Sequence, residues 1–232
     1  MRTRIIIGIA GASGSGKTTL ARKLMAHYGA DKCAIISEDD YYKDLAPGVV
    51  KVLENFDEPA SLDFPLLIAN LKQLLQGQAT ATPVFDYNAH KRKAEQIVAP
   101  KPIVIVEGIL AFSQPELLKL FSLKIFVKRD LDYCLMDRLA RDTEKYGVKP
   151  EENLQQYRHT VGPMRRKYIA PSKARADLIV KNSALNKDFD ISKVISFIES
   201  PLSRFNLFQK KIEVKDCQGN TSPKPAHSAF YV

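Results

Sequence analysis

Cysteine is scarce in this chain of 232 residues: Cys33, Cys134 and Cys217 stand far apart, with no Cys-x-x-Cys pair and no Cys/His cluster. That argues against a zinc site or a disulfide scaffold and suits a reducing compartment. Long apolar runs are missing too, and none could cross a bilayer. Met1-Arg2-Thr3-Arg4 followed by Ile5–Ala10 imitates the start of a signal peptide. However, the run is short and passes into a glycine-rich loop with a lysine instead of a cleavage site, so a cytoplasmic protein is expected. No internal repeat is found. Acidic residues are outnumbered, with 26 Asp+Glu against 35 Lys+Arg and a net charge of +9. A pI near 9.4 leaves two partner classes, nucleic acid and small polyanions. The basic residues are scattered and not massed on one helix, which disfavours nucleic acid.

What is present is ordinary globular composition, 45% hydrophobic and 26% charged. The length suits one large domain, or one domain with an inserted lid. Apolar β-branched runs alternate with amphipathic stretches. The strand candidates are Ile5–Ile9, Cys33–Ser37, Ile103–Val106, Leu123–Val127 and Leu178–Val180. Their near-continuous apolar character suits parallel strands covered on both faces. Helical patterns fall between them, at Thr18–His27, along the leucine-rich stripe Leu66–Leu75, and from Leu131 to Thr143. For the second of these, Asp63 is a plausible N-cap and Gly77 the terminator. An α/β fold with a parallel five-stranded sheet flanked by helices follows. Residues 80–99 break the alternation and read as a small β-hairpin excursion beside the sheet. The end, Asp216–Val232, is polar and aperiodic and reads as a flexible tail, taken as 208–232 after a domain of 1–207.

Gly11-Ala12-Ser13-Gly14-Ser15-Gly16-Lys17-Thr18 matches GxxxxGK[ST] between an apolar strand and a helix, the context a P-loop requires. Glycines let backbone N–H groups turn towards phosphate oxygens, and the helix N-terminus adds partial positive charge. Lys17 would reach the β- and γ-phosphates, Thr18 would offer its hydroxyl to Mg²⁺, and Thr19 would continue the cradle. Glu107, at the end of the strand Ile103–Val106, supplies the second metal-side oxygen where open α/β sheets gather ligands.

The P-loop is joined, in order, by Glu38-Asp39-Asp40-Tyr41-Tyr42-Lys43, Asn55-Phe56-Asp57-Glu58-Pro59, Pro83-Val84-Phe85-Asp86-Tyr87, His90, Glu107-Gly108-Ile109-Leu110 and Pro171-Ser172-Lys173 with Ala176-Asp177. Together these resemble the uridine kinase (uridine–cytidine kinase) family, a branch of the P-loop kinases that includes phosphoribulokinase, over residues 4 to 185. The resemblance implies transfer of the γ-phosphoryl of ATP, or GTP, with Mg²⁺, to the 5′-hydroxyl of uridine or cytidine, as in pyrimidine salvage. By matching position it makes Asp39 the catalytic base, with Lys17 and Arg141 assisting. Asp57 would hold the ribose hydroxyls, Phe85 and Tyr87 would flank the base, and His90 would meet the pyrimidine edge. Arg138 and Arg141, three apart on one helix face, resemble lid arginines within residues 131–170, and Gln156 resembles a nucleoside contact. Members of the family often form homo-oligomers, although nothing in this sequence marks an interface.

One departure stands out. Where the family has Glu-Arg-Gly-Arg after the lid helix, this chain reads Glu144-Lys145-Tyr146-Gly147-Val148. Val148 cannot donate a side-chain hydrogen bond to a pyrimidine carbonyl. Arg165, Arg166 and Lys167 form a further basic cluster to which the resemblance assigns no role. The alternatives carried forward are a kinase of the same fold acting on another nucleoside or a phosphorylated sugar, a regulatory nucleotide-binding module, and an RNA-binding protein.

Overall fold

The computed structural model describes residues 4–45, 55–182 and 191–200. The expected tail at 208–232, and Cys217 within it, lie outside them. Five strands form one parallel sheet: β1 (Ile5–Gly11), β2 (Cys33–Ser37), β5 (Ile103–Glu107), β6 (Leu123–Lys128) and β7 (Leu178–Lys181). They run in the order β2-β5-β1-β6-β7. Each expected strand is present, most of them a residue or two longer. A pair lying apart from this sheet, β3 (Thr80–Asp86) and β4 (Lys91–Val98), is antiparallel and is the expected hairpin.

Helices cover both sheet faces, which explains the unbroken apolar strands. On one face α1 (Lys17–Tyr28) and α8 (Ile191–Glu199) press Leu20, Leu24, Val194 and Ile198 onto Ile7, Ile9 and Ile125. On the other, α2 (Phe64–Gln76) and α3 (Pro115–Leu120) pack with Phe112 and Phe121 onto Ile6, Val104 and Val106. In α2, Leu67, Leu71 and Leu74 are fully buried, each contributing about 1.5–3 kcal/mol. That helix starts where Asp63 accepts the Leu66 N–H at 3.1 Å. It stops at Gly77, which adopts φ 86°.

Beyond β6 the chain becomes helical. The first element is α4 (Leu131–Tyr146), ended by Gly147 at φ 67°. The second begins as α5 (Pro150–Gln156) and runs on through π turns at Tyr157–Val161 and Arg165–Ile169, with α6 (Gly162–Met164) between them and α7 (Ala170–Ser172) after. The apolar series Leu131, Leu135, Leu139 does not supply the buried side of α4; its buried residues are Cys134 and Asp142. The next-strand register aligns Ile9 and Ser37 with Glu107. The ends of β2 and β5 are therefore level, β1 runs two residues past them, and the loops leaving all three share one edge.

Candidate active site

The chain leaves β1 through Gly11–Gly16 and enters α1 at Lys17. Gly14 has φ +77°, and a Cβ there would lie 2.3 Å from the Cys134 carbonyl oxygen, so only glycine lets this loop pass α4. The Ala12 carbonyl accepts both the Ser15 N–H and Lys17 Nζ, each at 3.0 Å. From outside, Arg129 Nη1 donates to the Gly14 carbonyl at 2.9 Å and Asn182 Nδ2 to the Ser15 carbonyl at 2.8 Å. Neither brace is visible as a motif, because each comes from a strand end distant in sequence.

Thr18 Oγ1 donates to Glu107 Oε1 at 2.9 Å, so the two expected metal-side oxygens are neighbours. Burial raises the Glu107 carboxyl above the usual range, opposed by the Lys17 charge and the Thr18 hydrogen bond. Two oxygens flanking a phosphate loop suit Mg²⁺, which takes most of its ligands from phosphates and water. Among the described residues no three His, Cys, Asp or Glu side chains form a protein-only cage.

After β2 a short 3₁₀ turn, Glu38–Tyr41, carries three acids with three different fates. Glu38 is fully buried: Oε1 accepts the Leu110 N–H at 2.9 Å, Oε2 has no partner, and burial holds the carboxyl well above its usual range. It fits only because residue 108 is glycine, where a Cβ would come 2.3 Å from Glu38 Cβ. Asp40 accepts the Phe85 N–H at 3.3 Å. Asp39 alone of the three lines the main cavity.

That cavity measures about 540 Å³, of a size that holds a small organic ligand. Its lining includes Ser13 of the phosphate loop, Asp39 and Asp57. Asp57 is 5% exposed and its Oδ2 has no partner. Burial raises its carboxyl, against the pull of Arg138 and more weakly of Lys17 and Arg141. Aromatic rings line it as well. Phe85 and Tyr87 rings meet at 5.4 Å, and Tyr87 reaches Tyr146 at 5.1 Å. Burial raises the Tyr87 hydroxyl well above its usual range, and the Asp39 charge adds to this. His90, with φ 51°, stacks on Phe56 at 5.2 Å.

Arg138, Arg141 and Gln156 all face this cavity. Arg138 Nη2 donates to Gln156 Oε1 at 2.8 Å and Nε to Asn153 Oδ1 at 3.3 Å. Arg141 Nε donates to Asp142 Oδ1 at 2.8 Å, and Asp142 Oδ2 lies 3.4 Å from Arg138 Nε. Asp142 therefore anchors both arginines. Every residue expected to bind acceptor lines the one cavity. Phe56, Tyr146 and Asp142 join them unforeseen: Phe56 and Tyr146 pack on rings remote in sequence, and Asp142 is held by Arg138, Arg141 and Asn153. Val148 is also at the wall, its N–H donating to the Asp142 carbonyl at 3.1 Å and its carbonyl accepting Thr143 Oγ1 at 3.0 Å.

A phosphate loop with a paired hydroxyl and carboxylate, opening on an acceptor-sized cavity that contains a further carboxylate, defines a P-loop phosphotransferase. The chain belongs to the phosphoribulokinase / uridine kinase family, whose model matches residues 6–188. It is 43% identical over 190 residues to a uridine kinase of Tolumonas auensis, covering 79% of this chain and 89% of the relative. A uridine kinase of Brevibacillus brevis is 38% identical over 191 residues, covering 81% and 89%. Among solved structures, phosphoribulokinase from Rhodobacter spheroides aligns with a TM-score of 0.57 at 13% identity, covering 81% of this chain and 74% of that one. D-glycerate 3-kinase from Cryptococcus neoformans aligns at 0.55 with 18% identity, covering 80% and 89%. These two similarities concern the fold.

Proposed function

We propose that the protein transfers the γ-phosphoryl group of ATP to the 5′-hydroxyl of uridine or cytidine. The observation that carries this reading is the shared cavity: P-loop Ser13, Asp39 and Asp57 line it together, and one Asp57 oxygen is buried and unpartnered. A carboxylate with a free oxygen suits a ribose diol, which donates two hydroxyl bonds side by side. The 5′-hydroxyl then points at the phosphate loop. Asp39 accepts its proton as the new O–P bond forms and the bond from Pγ to the β,γ-bridging oxygen breaks, releasing ADP. Lys17 leaves the Ala12 carbonyl for the β- and γ-phosphate oxygens. Arg138 and Arg141 offset charge developing on the transferred group. Thr18 and Glu107 would hold Mg²⁺, which when bound neutralises phosphate oxygens. Phe85 and Tyr87 flank the base, with His90 and Gln156 at its edge. We assign α4 and the helical run that follows it to a closing lid on a kinase domain of 1–207.

A second reading has a specific observation behind it. Val148 stands at the cavity wall where the family resemblance implies an arginine, which admits an acceptor other than a pyrimidine nucleoside. A coupled ADP-release screen over nucleosides and phosphorylated sugars, run on wild type and Asp39→Asn, tests both readings. Uridine or cytidine should be the best acceptors. The variant should lose about 10²–10⁴-fold in kcat while binding MgATP normally. Silence with both pyrimidine nucleosides removes the acceptor assignment, and near-normal turnover by the variant removes Asp39 as the base.

A further inference from the structure

The helical run after α5 carries Tyr157, Val161, Arg165 and Ile169 on one line, four residues apart. The π turns take up more residues per turn than an α-helix does, which keeps this spacing in phase along a single face. All four face a second, small cavity together with Ala12, Ser13, Asp57 and Arg138. Val161 and Ile169 are 4% and 2% exposed, while Tyr157 and Arg165 between and beside them are half-buried. Arg165 Nε is buried with no hydrogen-bond partner, and among the described residues Arg165 makes no ion pair. Asp57 shares the cavity, and its Oδ2 is likewise unpartnered. A buried donor is seldom left unmade without a ligand to complete it.

We infer that Arg165 is a further phosphate-contacting residue, reaching the terminal phosphate of a nucleoside triphosphate from the side of the loop formed by Ala12 and Ser13. This rests on the reading of the site as an ATP-dependent kinase. The gap is about 10 Å³, room for one oxygen-sized group, which matches a phosphate oxygen and excludes a ring. Ala12 and Ser13 of the phosphate loop share this gap with Arg165, alongside Asp57 and the α4 residues Leu131, Cys134, Leu135 and Arg138, and a guanidinium is the side chain best shaped for phosphate oxygens. A cation placed here would favour the nucleotide carrying the transferable group over the one that has lost it. It would add to Arg138 and Arg141, which are already tied to Asp142.

The test uses the full chain and three probes, MgATP, MgADP and uridine, measured by calorimetry on wild type, Arg165→Met and Arg165→Lys. Methionine keeps the apolar stem and removes the charge. Loss of one charge-assisted contact should weaken MgATP about tenfold or more. MgADP should weaken much less and uridine not at all, with kcat reduced and lysine restoring part of the loss. MgATP affinity and turnover equal to wild type would overturn the inference, and so would equal weakening of ATP and ADP. A lowered melting temperature with ATP and uridine weakened together would show a packing role and overturn it too. If wild type binds no magnesium triphosphate, the kinase reading itself fails and takes this inference with it.

Discussion

Three consecutive acids, Glu38, Asp39 and Asp40, sit on one turn and meet three environments. Sequence could not separate them; the position of each side chain relative to water and donors does. Asp39 opens on the cavity, Asp40 is bonded to Phe85, and Glu38 is sealed under Gly108 with one oxygen unpartnered. A carboxyl raised by burial binds its proton more tightly when folded than when unfolded. The folded state therefore holds more protons above the ordinary glutamate value of 4.5. Its contribution to stability is full below that pH and is lost as pH rises towards the folded value. Glutamine does not titrate. The stability of Glu38→Gln relative to wild type should therefore be constant below about pH 4 and then rise by about 1.4 kcal/mol per pH unit. It should level off where Glu38 ionises in the folded protein. Urea unfolding across pH 4 to 9 measures this, and a pH-independent difference would show that Glu38 is not held neutral by the fold.

At the scale of elements, the strands and α2 were legible because one signal dominates each: continuous β-branched residues for strands covered on both faces, and a leucine stripe between Asp63 and Gly77 for the helix. The phosphate loop was legible for a similar reason, since its function is carried by contiguous residues. The orientation of α4 was not. Leu131 is 38% exposed, while the buried line of the helix runs through Cys134, Arg138 and Asp142. Polar groups can face inward there because they satisfy one another, which no hydropathy pattern reveals. Asp142 joins α4 to α5 by accepting Asn153 Nδ2 at 2.9 Å and by pairing with Arg138 and Arg141. Removing its charge leaves Arg138 buried without its anion. We expect Asp142→Asn to cost about 1–3 kcal/mol of stability. It should also raise KM for the nucleoside while leaving MgATP affinity near normal, because the phosphate loop is braced separately by Arg129 and Asn182. Denaturant titration with steady-state kinetics checks both, and a matching loss of MgATP binding would show that the two regions are not independent.

On the scale of the whole molecule, the phosphate loop lies at the edge formed by the ends of β1, β2 and β5, with the segment after β6 beside it. Ligands that bridge these parts favour the folded state by mass action. At a hundredfold excess over Kd a single site adds about 2.7 kcal/mol, which for a chain of this length corresponds to a melting shift of about 5–10 °C. The Thr18–Glu107 pair makes that stabilisation metal-dependent, because Glu107 opposes a bare triphosphate and favours it once Mg²⁺ lies between them. MgATP should therefore raise the melting temperature strongly and ATP with EDTA only weakly. Uridine, which carries no phosphate, should add its own increment whether or not EDTA is present. In Glu107→Gln the difference between ATP with and without metal should shrink, since glutamine neither repels the triphosphate nor binds the ion as firmly. The net charge of +9 supplies a general attraction for polyanions that salt screens. The metal-dependent part should instead survive at 0.5 M NaCl, because it depends on contacts inside a partly buried loop. A melting shift that vanished with salt and ignored EDTA would assign nucleotide binding to the basic surface and not to the loop.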